Sequence, residues 1–173
     1  MKKFISLALC AVLILATLTA CGTATKDTSK STYTIGLCNY VNDASLNQIV
    51  ENIQSQLASI GKEKGVTFDV KYQNCNADNN VLNQIVSNFI ADDVDLMVGV
   101  ATPVAMAMQN ATEGKNLPVV FSAVTDPVGA ELVKSLEAPG ANITGTSDYL
   151  NTNAIMDIMF ETKPSIKKVG LLY

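Results

Sequence analysis

The stretch "VDLMVGVATPVAMAMQ", residues 94–109, places an apolar strand directly before a helix. Residues 94–100 are apolar almost without interruption, which is typical of a parallel strand that is buried on both faces. Thr102 and Pro103 then fit the N-cap and the first position of a helix, where proline costs no backbone hydrogen bond. A strand joined so closely to a helix predicts one unit of an α/β fold.

The same alternation continues on both sides of this stretch. Helices are predicted over residues 46–60 and 81–90, where apolar residues share one helical face, and a short one from about 128 to 136. Capping residues stand at 43–45 and 78–79, and Gly61 and Gly65 are predicted to end the first helix. Further strands are predicted over 33–38, 66–72, 117–124 and 142–146. Short connections between such units imply a parallel, doubly wound sheet with helices on both faces.

The loops after the strands carry the candidate binding residues. In doubly wound sheets, ligands bind beyond the carboxyl ends of the strands, and amides, hydroxyls and carboxylates in these loops suit a small polar molecule. A structural alternative stands beside this interpretation: Asp43 and Thr102 would be helix caps, and residues 125–127 only a turn. The candidate ligand-binding residues are Asn39, Tyr40, Asp43, Thr102, Pro103, Thr125, Asp126 and Asp148.

Composition excludes several classes of function. The chain has 12 basic and 16 acidic residues and no histidine. Without histidine, Ser-His-Asp and Cys-His nucleophile systems and the HExxH zinc motif are impossible, so an enzyme is disfavoured. The acidic excess, with no basic cluster longer than Lys167-Lys168, argues against nucleic acid as a partner. No cofactor is predicted, and no metal-ligand spacing links Cys38 to Cys75, which are either buried thiols or a disulfide.

The amino-terminal residues have the pattern of an export signal. Lys2 and Lys3 precede an apolar run, residues 4–18, which is too short to span a bilayer stably. Residues 18–21, Leu-Thr-Ala-Cys, resemble the bacterial lipobox, in which the cysteine is lipidated; ordinary secretory cleavage is the alternative. We therefore expect a signal peptide over 1–20, a two-chain lipid anchor on Cys21 and a flexible tether over 21–32, at the extracytoplasmic face of the cell membrane.

Three segments together resemble a known family. They are "VGVATPVAMAMQ" (98–109), "LPVVFSAVTDPVGAELVKSLEAPGANITGTSDY" (117–149) and "PSIKKVGLLY" (164–173). They are similar to ABC-transporter substrate-binding lipoproteins of the type I periplasmic-binding-protein fold, which include tryptophan- and tyrosine-associated members. The resemblance implies a first α/β lobe over 33–165, and 166–173 as the first strand of a second lobe. It also implies capture of an amino acid or similar small polar solute and delivery to ABC permease subunits.

An amino-acid ligand assigns roles to the candidate residues. Thr102 and the helix that it opens would meet the carboxylate, because the helix dipole favours an anion there. Asp126 or Asp148 would meet the ammonium, and Tyr40 would stack on an aromatic side chain. A membrane-displayed α/β enzyme or ligand-sensing domain that uses the same loops is the alternative function.

The lipobox interpretation predicts the behaviour of Cys21→Ser. Because serine cannot form the thioether to diacylglycerol, this variant is expected to leave the membrane fraction or to stay unprocessed. Cell fractionation combined with mass spectrometry of the product measures both. A serine variant that remains in the membrane at the same processed mass would contradict lipidation at Cys21.

Overall fold

The computed structural model describes residues 30–170, and residues 1–29 and 171–173 lie outside that range. The strands are β1 (Thr32–Asn39), β2 (Thr67–Asn74), β3 (Leu96–Val100), β4 (Val119–Val124) and β5 (Ile143–Ser147). The helices are α1 (Ala44–Lys64), α2 (Asn79–Ala91), α3 (Thr102–Thr112) and α4 (Thr152–Thr162).

Within the described residues the strands form one sheet in the order β2-β1-β3-β4-β5. Every neighbouring pair is parallel, which confirms the predicted α/β class. From β1 the chain moves outward to β2 and then returns past β1 to β3, so the direction of winding reverses between β1 and β3. This reversal is the topological switch point of the sheet.

Two apolar clusters cover the two faces of the sheet. On one face, Val50 of α1 packs with Ile35 and Leu37 of β1 and with alternate residues of β3. On the other face, α2 and α3 pack against the sheet through a larger cluster that contains Cys38 and Met97. Successive strand residues point to opposite faces, so a buried strand contributes to both clusters. The sheet is therefore doubly wound, as the sequence predicts.

The first two helices begin and end at the residues that their chemistry favours. Asp43 caps α1 by accepting hydrogen bonds from the N–H groups of Ser45 (2.9 Å) and Leu46 (3.3 Å). Asp78 caps α2 in the same way. Gly65 ends α1 at a φ of 67°, a left-handed conformation that favours glycine. Gly61, which was expected to help end α1, lies inside the helix instead, so that part of the prediction is wrong.

Two sequence-based expectations about local structure are also wrong. The N-cap of α3 is Ala101, so Thr102 is the first helical residue and Pro103 the second. The helix expected from about 128 to 136 is a series of turns, because the Pro127 carbonyl accepts from the N–H groups of both Leu132 and Val133. These turns bury both side chains without a regular helix.

The last described segment follows β5 and was not assigned from the sequence. Asn151 caps α4 by accepting from the Ala154 N–H at 3.1 Å, but α4 buries none of its residues. Residues 166–170 have no regular secondary structure, so a strand that opens a second lobe stays a prediction. The predicted signal peptide, Cys21 and most of the predicted tether lie outside the described residues. Across residues 30–170, no helix has both the length and the apolar character needed to cross a membrane.

The β4–β5 pairing depends on a close approach at Gly145. β4 carries one extra residue between Phe121 and Val124, a bulge in which Ala123 has a φ of 54°. A Cβ atom at Gly145 would overlap the carbonyl oxygen and the ring of Phe121. The bulge also sets the direction in which the chain leaves β4, toward residues 125–127.

Gly145→Ala is therefore expected to lower the free energy of unfolding by about 2–3 kcal/mol, since the overlap is with backbone and cannot relax by side-chain rotation. Urea denaturation followed by circular dichroism measures the loss. Gly170→Ala is the matched control, because a Cβ atom there meets nothing within 4 Å, and its effect should stay within about 0.5 kcal/mol. Equal stability of both variants would show that this approach is not tight in solution.

Candidate functional site

The carboxyl ends of the strands lie in one row, which brings the predicted loops to one edge. Asn39 at the end of β1 pairs with Val100 at the end of β3. The Ala101 N–H donates to a carbonyl of β4 at 2.9 Å, and the Asp148 N–H donates to the Val124 carbonyl at 3.2 Å. The candidate residues therefore follow neighbouring strand ends along this edge.

The switch point between β1 and β3 is the centre of this edge. Asn39 ends β1 and Tyr40 follows it, while Ala101 connects β3 to α3, which begins with Thr102 and Pro103. Because α1 and α3 leave toward opposite faces of the sheet, a crevice opens between the two connections. These two connections hold four of the candidate residues: Asn39, Tyr40, Thr102 and Pro103.

Asn39 is a fully buried polar residue at the switch point. Its Nδ2 group donates to the Val41 carbonyl at 3.0 Å and to Oδ1 of Asn47 at 3.2 Å. Its Oδ1 atom has no hydrogen-bond partner among the described residues. A buried acceptor without a partner is costly, about 1–3 kcal/mol, so Oδ1 of Asn39 is well suited to receive a donor from a ligand.

The amino terminus of α3 faces the same crevice with unused donors. The first hydrogen bond of the helix runs from the Ala105 N–H to the Ala101 carbonyl at 3.2 Å. The N–H groups of Thr102 and Val104 precede it, so they have no acceptor within the helix. The Thr102 hydroxyl has no hydrogen-bond partner in the part of the chain that the structure describes. Ala101 has φ 81° and ψ 154°, a conformation that costs a non-glycine residue about 1–3 kcal/mol and is concentrated at functional sites.

The remaining candidate carboxylates differ in how they are used. Asp43 is exposed and caps α1, which confirms the prediction that it is a helix cap. Asp126 is exposed and its Oδ1 atom accepts from the Gly129 N–H at 2.8 Å, which closes the turn after β4. The Asp148 carboxylate has no hydrogen-bond partner among residues 30–170. Asp148 is therefore the carboxylate at this edge that is free to meet a cation.

Ser147 belongs to this edge although the sequence did not single it out. Its hydroxyl donates to the Thr125 carbonyl at 3.1 Å and accepts from the Tyr149 N–H at 3.1 Å. It therefore ties the loop after β4 to the loop after β5, which carries Asp148. A serine at a strand end is too common for the sequence alone to mark it.

A polar cavity lies beside Asn39 at the same edge. Its volume is about 430 Å³, and its lining includes several amide side chains. A larger cavity of about 570 Å³ lies near the last turns of α3, and no candidate residue lines either cavity. We assign the site to the carboxyl edge, because the switch point, the free helix donors and the unpaired Asn39 oxygen coincide there. The amides of the smaller cavity are Asn42, Asn47, Gln54, Asn74 and Asn76.

Cys38 and Cys75 are free thiols, and both are fully buried. Burial, followed by the neighbouring Cys75, raises the pKa of the Cys38 thiol from 9.0 to about 12. Both effects disfavour the thiolate, which is the reactive form. Neither thiol lies in a metal site, since no cluster of three potential metal ligands occurs among the described residues.

Comparison with known proteins identifies the family. The profile of the ABC transporter substrate binding protein family matches residues 34–173. The chain belongs to this family. Its members bind solutes, so the expectation that the chain is not an enzyme is confirmed.

Individual members of the family resemble this chain over part of their length. A curated "Tyrosine-binding protein" of Clostridioides difficile (strain R20291) is 36% identical over 181 residues, which cover 99% of this chain and 52% of that protein. A Streptococcus pneumoniae ABC domain solved in complex with L-Trp is 37% identical with a TM-score of 0.70, covering 79% of this chain and 45% of that one. A ligand-free, open substrate-binding protein of Clostridium difficile is 34% identical with a TM-score of 0.67, covering 77% and 44%. The chain therefore spans about half the length of these family members.

The raised pKa of Cys38 predicts slow alkylation of the folded protein. At pH 9 a thiol with a pKa of about 12 is thiolate in only about one molecule in a thousand. Iodoacetamide should therefore leave Cys38 unmodified in native protein and modify it in urea, which peptide mass spectrometry resolves from the other cysteines. In the native state the Cys38 thiol keeps its proton to a higher pH than in the unfolded state. The free energy of unfolding should therefore fall as the pH rises above 9. Rapid native alkylation would contradict the burial, and no alkylation in urea would indicate a disulfide.

Proposed function

We propose that this chain supplies one lobe of an extracytoplasmic solute-binding protein that captures an aromatic amino acid for an ABC importer. The observation that carries the proposal is the switch point, where the free N–H donors of α3 follow Val100, which pairs with Asn39 at the end of β1. The proposed whole protein is two-lobed: residues 166–173 begin a second lobe, and the ligand lies between the lobes. Cys21 holds the protein to the membrane through a lipid, and permease subunits receive the solute.

The ligand carboxylate is assigned to the amino terminus of α3. The N–H groups of Thr102 and Val104 and the Thr102 hydroxyl supply up to three donors, and Pro103 supplies none because it has no N–H. The helix dipole adds positive potential at this end, which favours an anion by about 0.3–1 kcal/mol or more when partly buried. Thr102 is half-buried, so part of this interaction is shielded from water.

The ligand ammonium is assigned to the Asp148 carboxylate. This acceptor has no hydrogen-bond partner among the described residues. An ammonium has three donors and no acceptor, so it matches acceptors of this kind. Asp126 is the second choice, because one of its oxygens already accepts from Gly129.

An aromatic ligand side chain is assigned to Tyr40. This residue is half-buried and packs against the larger apolar cluster, which leaves part of its ring available. Aromatic pairs in offset or edge-to-face geometry contribute about 0.5–1.5 kcal/mol beyond the area that they bury. The tyrosine-binding relative and the relative solved with L-Trp support tyrosine or tryptophan as the ligand.

Isothermal titration calorimetry with L-tyrosine, L-tryptophan and non-aromatic amino acids tests the ligand class. The experiment uses the two-lobed form, in which residues 1–173 are followed by a second lobe. Residues 1–173 alone should bind little, because they provide one wall of the cleft. Heat with the aromatic amino acids supports the proposal, and no heat with any amino acid from the two-lobed form removes this ligand class.

Single substitutions in the two-lobed form test the assigned roles. Thr102→Val removes a hydroxyl at nearly constant volume, and Asp148→Asn removes a charge. Each is expected to weaken binding at least tenfold, about 1.4 kcal/mol, because a ligand charge is then buried without its partner. Titration calorimetry gives the affinities, and thermal unfolding checks that each variant is folded.

Two matched variants sharpen this test. Asp43→Asn removes a charge at the α1 cap but keeps its acceptor oxygen, and it should leave the affinity unchanged. Asp126→Asn keeps the oxygen that accepts from Gly129 and removes only the charge. A tenfold loss in Asp126→Asn with none in Asp148→Asn would move the ammonium to Asp126.

A further inference from the structure

The loop after β1 is held in place by the loop after β2. The Cys75 N–H donates to the Asn39 carbonyl at 3.1 Å, and the Ala77 N–H donates to the Tyr40 carbonyl at 2.7 Å. The Cys75 thiol donates to the same Tyr40 carbonyl at 3.1 Å. We call residues 75–77 the clamp, because their hydrogen bonds fix the last residue of β1 and the residue after it.

The clamp has an unusual backbone that directs its donors toward Tyr40. Asn76 and Ala77 have φ angles of 50° and 60°, a left-handed conformation that non-glycine residues rarely adopt. The Asn74 side chain supports it by accepting from the Asn76 N–H at 2.8 Å. Two adjacent left-handed residues reverse the chain, which turns the Ala77 N–H back toward β1.

The clamp is anchored to a rigid element on its other side. Asp78 directly follows it and donates its N–H to the Cys75 carbonyl at 2.9 Å. The Asp78 side chain caps α2 by accepting from the N–H groups of Asn80 (2.7 Å) and Val81 (3.1 Å). The clamp therefore links the Tyr40 backbone to the first turn of α2, and α2 packs against the sheet.

Cys75 differs from Cys38 in what its thiol does. Both side chains are fully buried in the same apolar cluster. The Cys38 sulfur lies 3.6 Å from the carbonyl oxygen of the adjacent Asn39, and the contact spans a single peptide unit. The Cys75 thiol instead joins two residues 35 positions apart in the chain. Cys75 thus connects two loops, whereas the Cys38 thiol donates only to the residue next to it and lies beside Cys75.

We propose that Cys75 is a positioning residue for ligand binding, which acts by holding Tyr40 through its thiol hydrogen bond. This role rests on the proposed function, in which the Tyr40 ring packs against the ligand. The thiol does not touch the ligand. The thiol hydrogen bond restricts the Tyr40 backbone to fewer positions before the ligand arrives. Less conformational entropy is therefore lost when the ligand binds.

Three variants separate a hydrogen bond from mere packing. Cys75→Ala removes the donor, Cys75→Ser keeps a donor at the same position, and Cys38→Ala removes the same sulfur atom from the same cluster without touching Tyr40. In the two-lobed form, Cys75→Ala should weaken binding of L-tyrosine or L-tryptophan by about three- to tenfold, the size of one neutral hydrogen bond. Cys75→Ser and Cys38→Ala should stay within about twofold of the unchanged protein on the same scale.

Hydrogen exchange provides a readout that needs no ligand. The Ala77 amide donates to the Tyr40 carbonyl, so its exchange rate in residues 1–173 reports how firmly the clamp holds. Cys75→Ala should speed exchange at Ala77 relative to a core amide such as that of Leu37. Cys38→Ala keeps the thiol hydrogen bond between Cys75 and Tyr40, so it should speed exchange at Ala77 less than Cys75→Ala does.

The outcomes distinguish this inference from the proposed function. Equal losses of affinity in Cys75→Ala and Cys38→Ala would overturn the positioning role, as would unchanged Ala77 exchange in Cys75→Ala. If the unchanged two-lobed form binds no aromatic amino acid, the proposed function fails. Selective loosening at Ala77 in that case would still establish the clamp, and its absence would overturn the clamp as well.

Discussion

The parallel pairing of β1 with β3 is the constraint on which the rest of this structure depends. It places Asn39 opposite Val100 and reverses the direction of winding, so that α1 and α3 leave toward opposite faces. A crevice must open where the two connections part, because no chain crosses the edge of the sheet at that point. The polar groups of the candidate site follow from this arrangement. They lie where two apolar strands end, and the backbone groups there no longer have partners in the sheet.

The close packing of α3 on β3 determines where the free N–H donors of α3 lie. Gly99 lies under α3, and a Cβ atom there would come within 3.1 Å of Val104 and Met108. This approach brings the start of α3 next to the end of β3, with one strained residue, Ala101, as the whole connection. The strain is sustained by the buried cluster around Met97 and Met108. The favourable packing of the apolar cluster therefore offsets the cost of the strained Ala101 backbone.

The segment after β5 differs from the rest of the described chain. α4 buries none of its residues, and several of its large apolar side chains are exposed, among them Ile155 (52%) and Ile158 (64%). An amphipathic helix obtains most of its stability by burying its apolar face. Since this chain spans about half the length of its relatives, the exposed face of α4 agrees with the proposal that 166–173 lead into a second lobe.

The sequence by itself determined the α/β class, the first two helix caps, three of the strand–helix units and the edge at which the candidate residues collect. These features are local or periodic: apolar runs mark the strands, and aspartates at 43 and 78 mark helix starts. It did not determine that Ala101 rather than Thr102 caps α3, that residues 128–136 form turns, or that Asp126 closes its own turn while Asp148 stays free. Nor could it show that Cys75 holds Tyr40 or that Asn39 keeps an unpaired oxygen. Tertiary structure decided these because packing selects which turns form and which hydrogen-bond partners meet. Some of these partners are local, as Asp126 and Gly129 are, and others are far apart in the chain, as Cys75 and Tyr40 are. Neither kind produces a periodic pattern in the sequence.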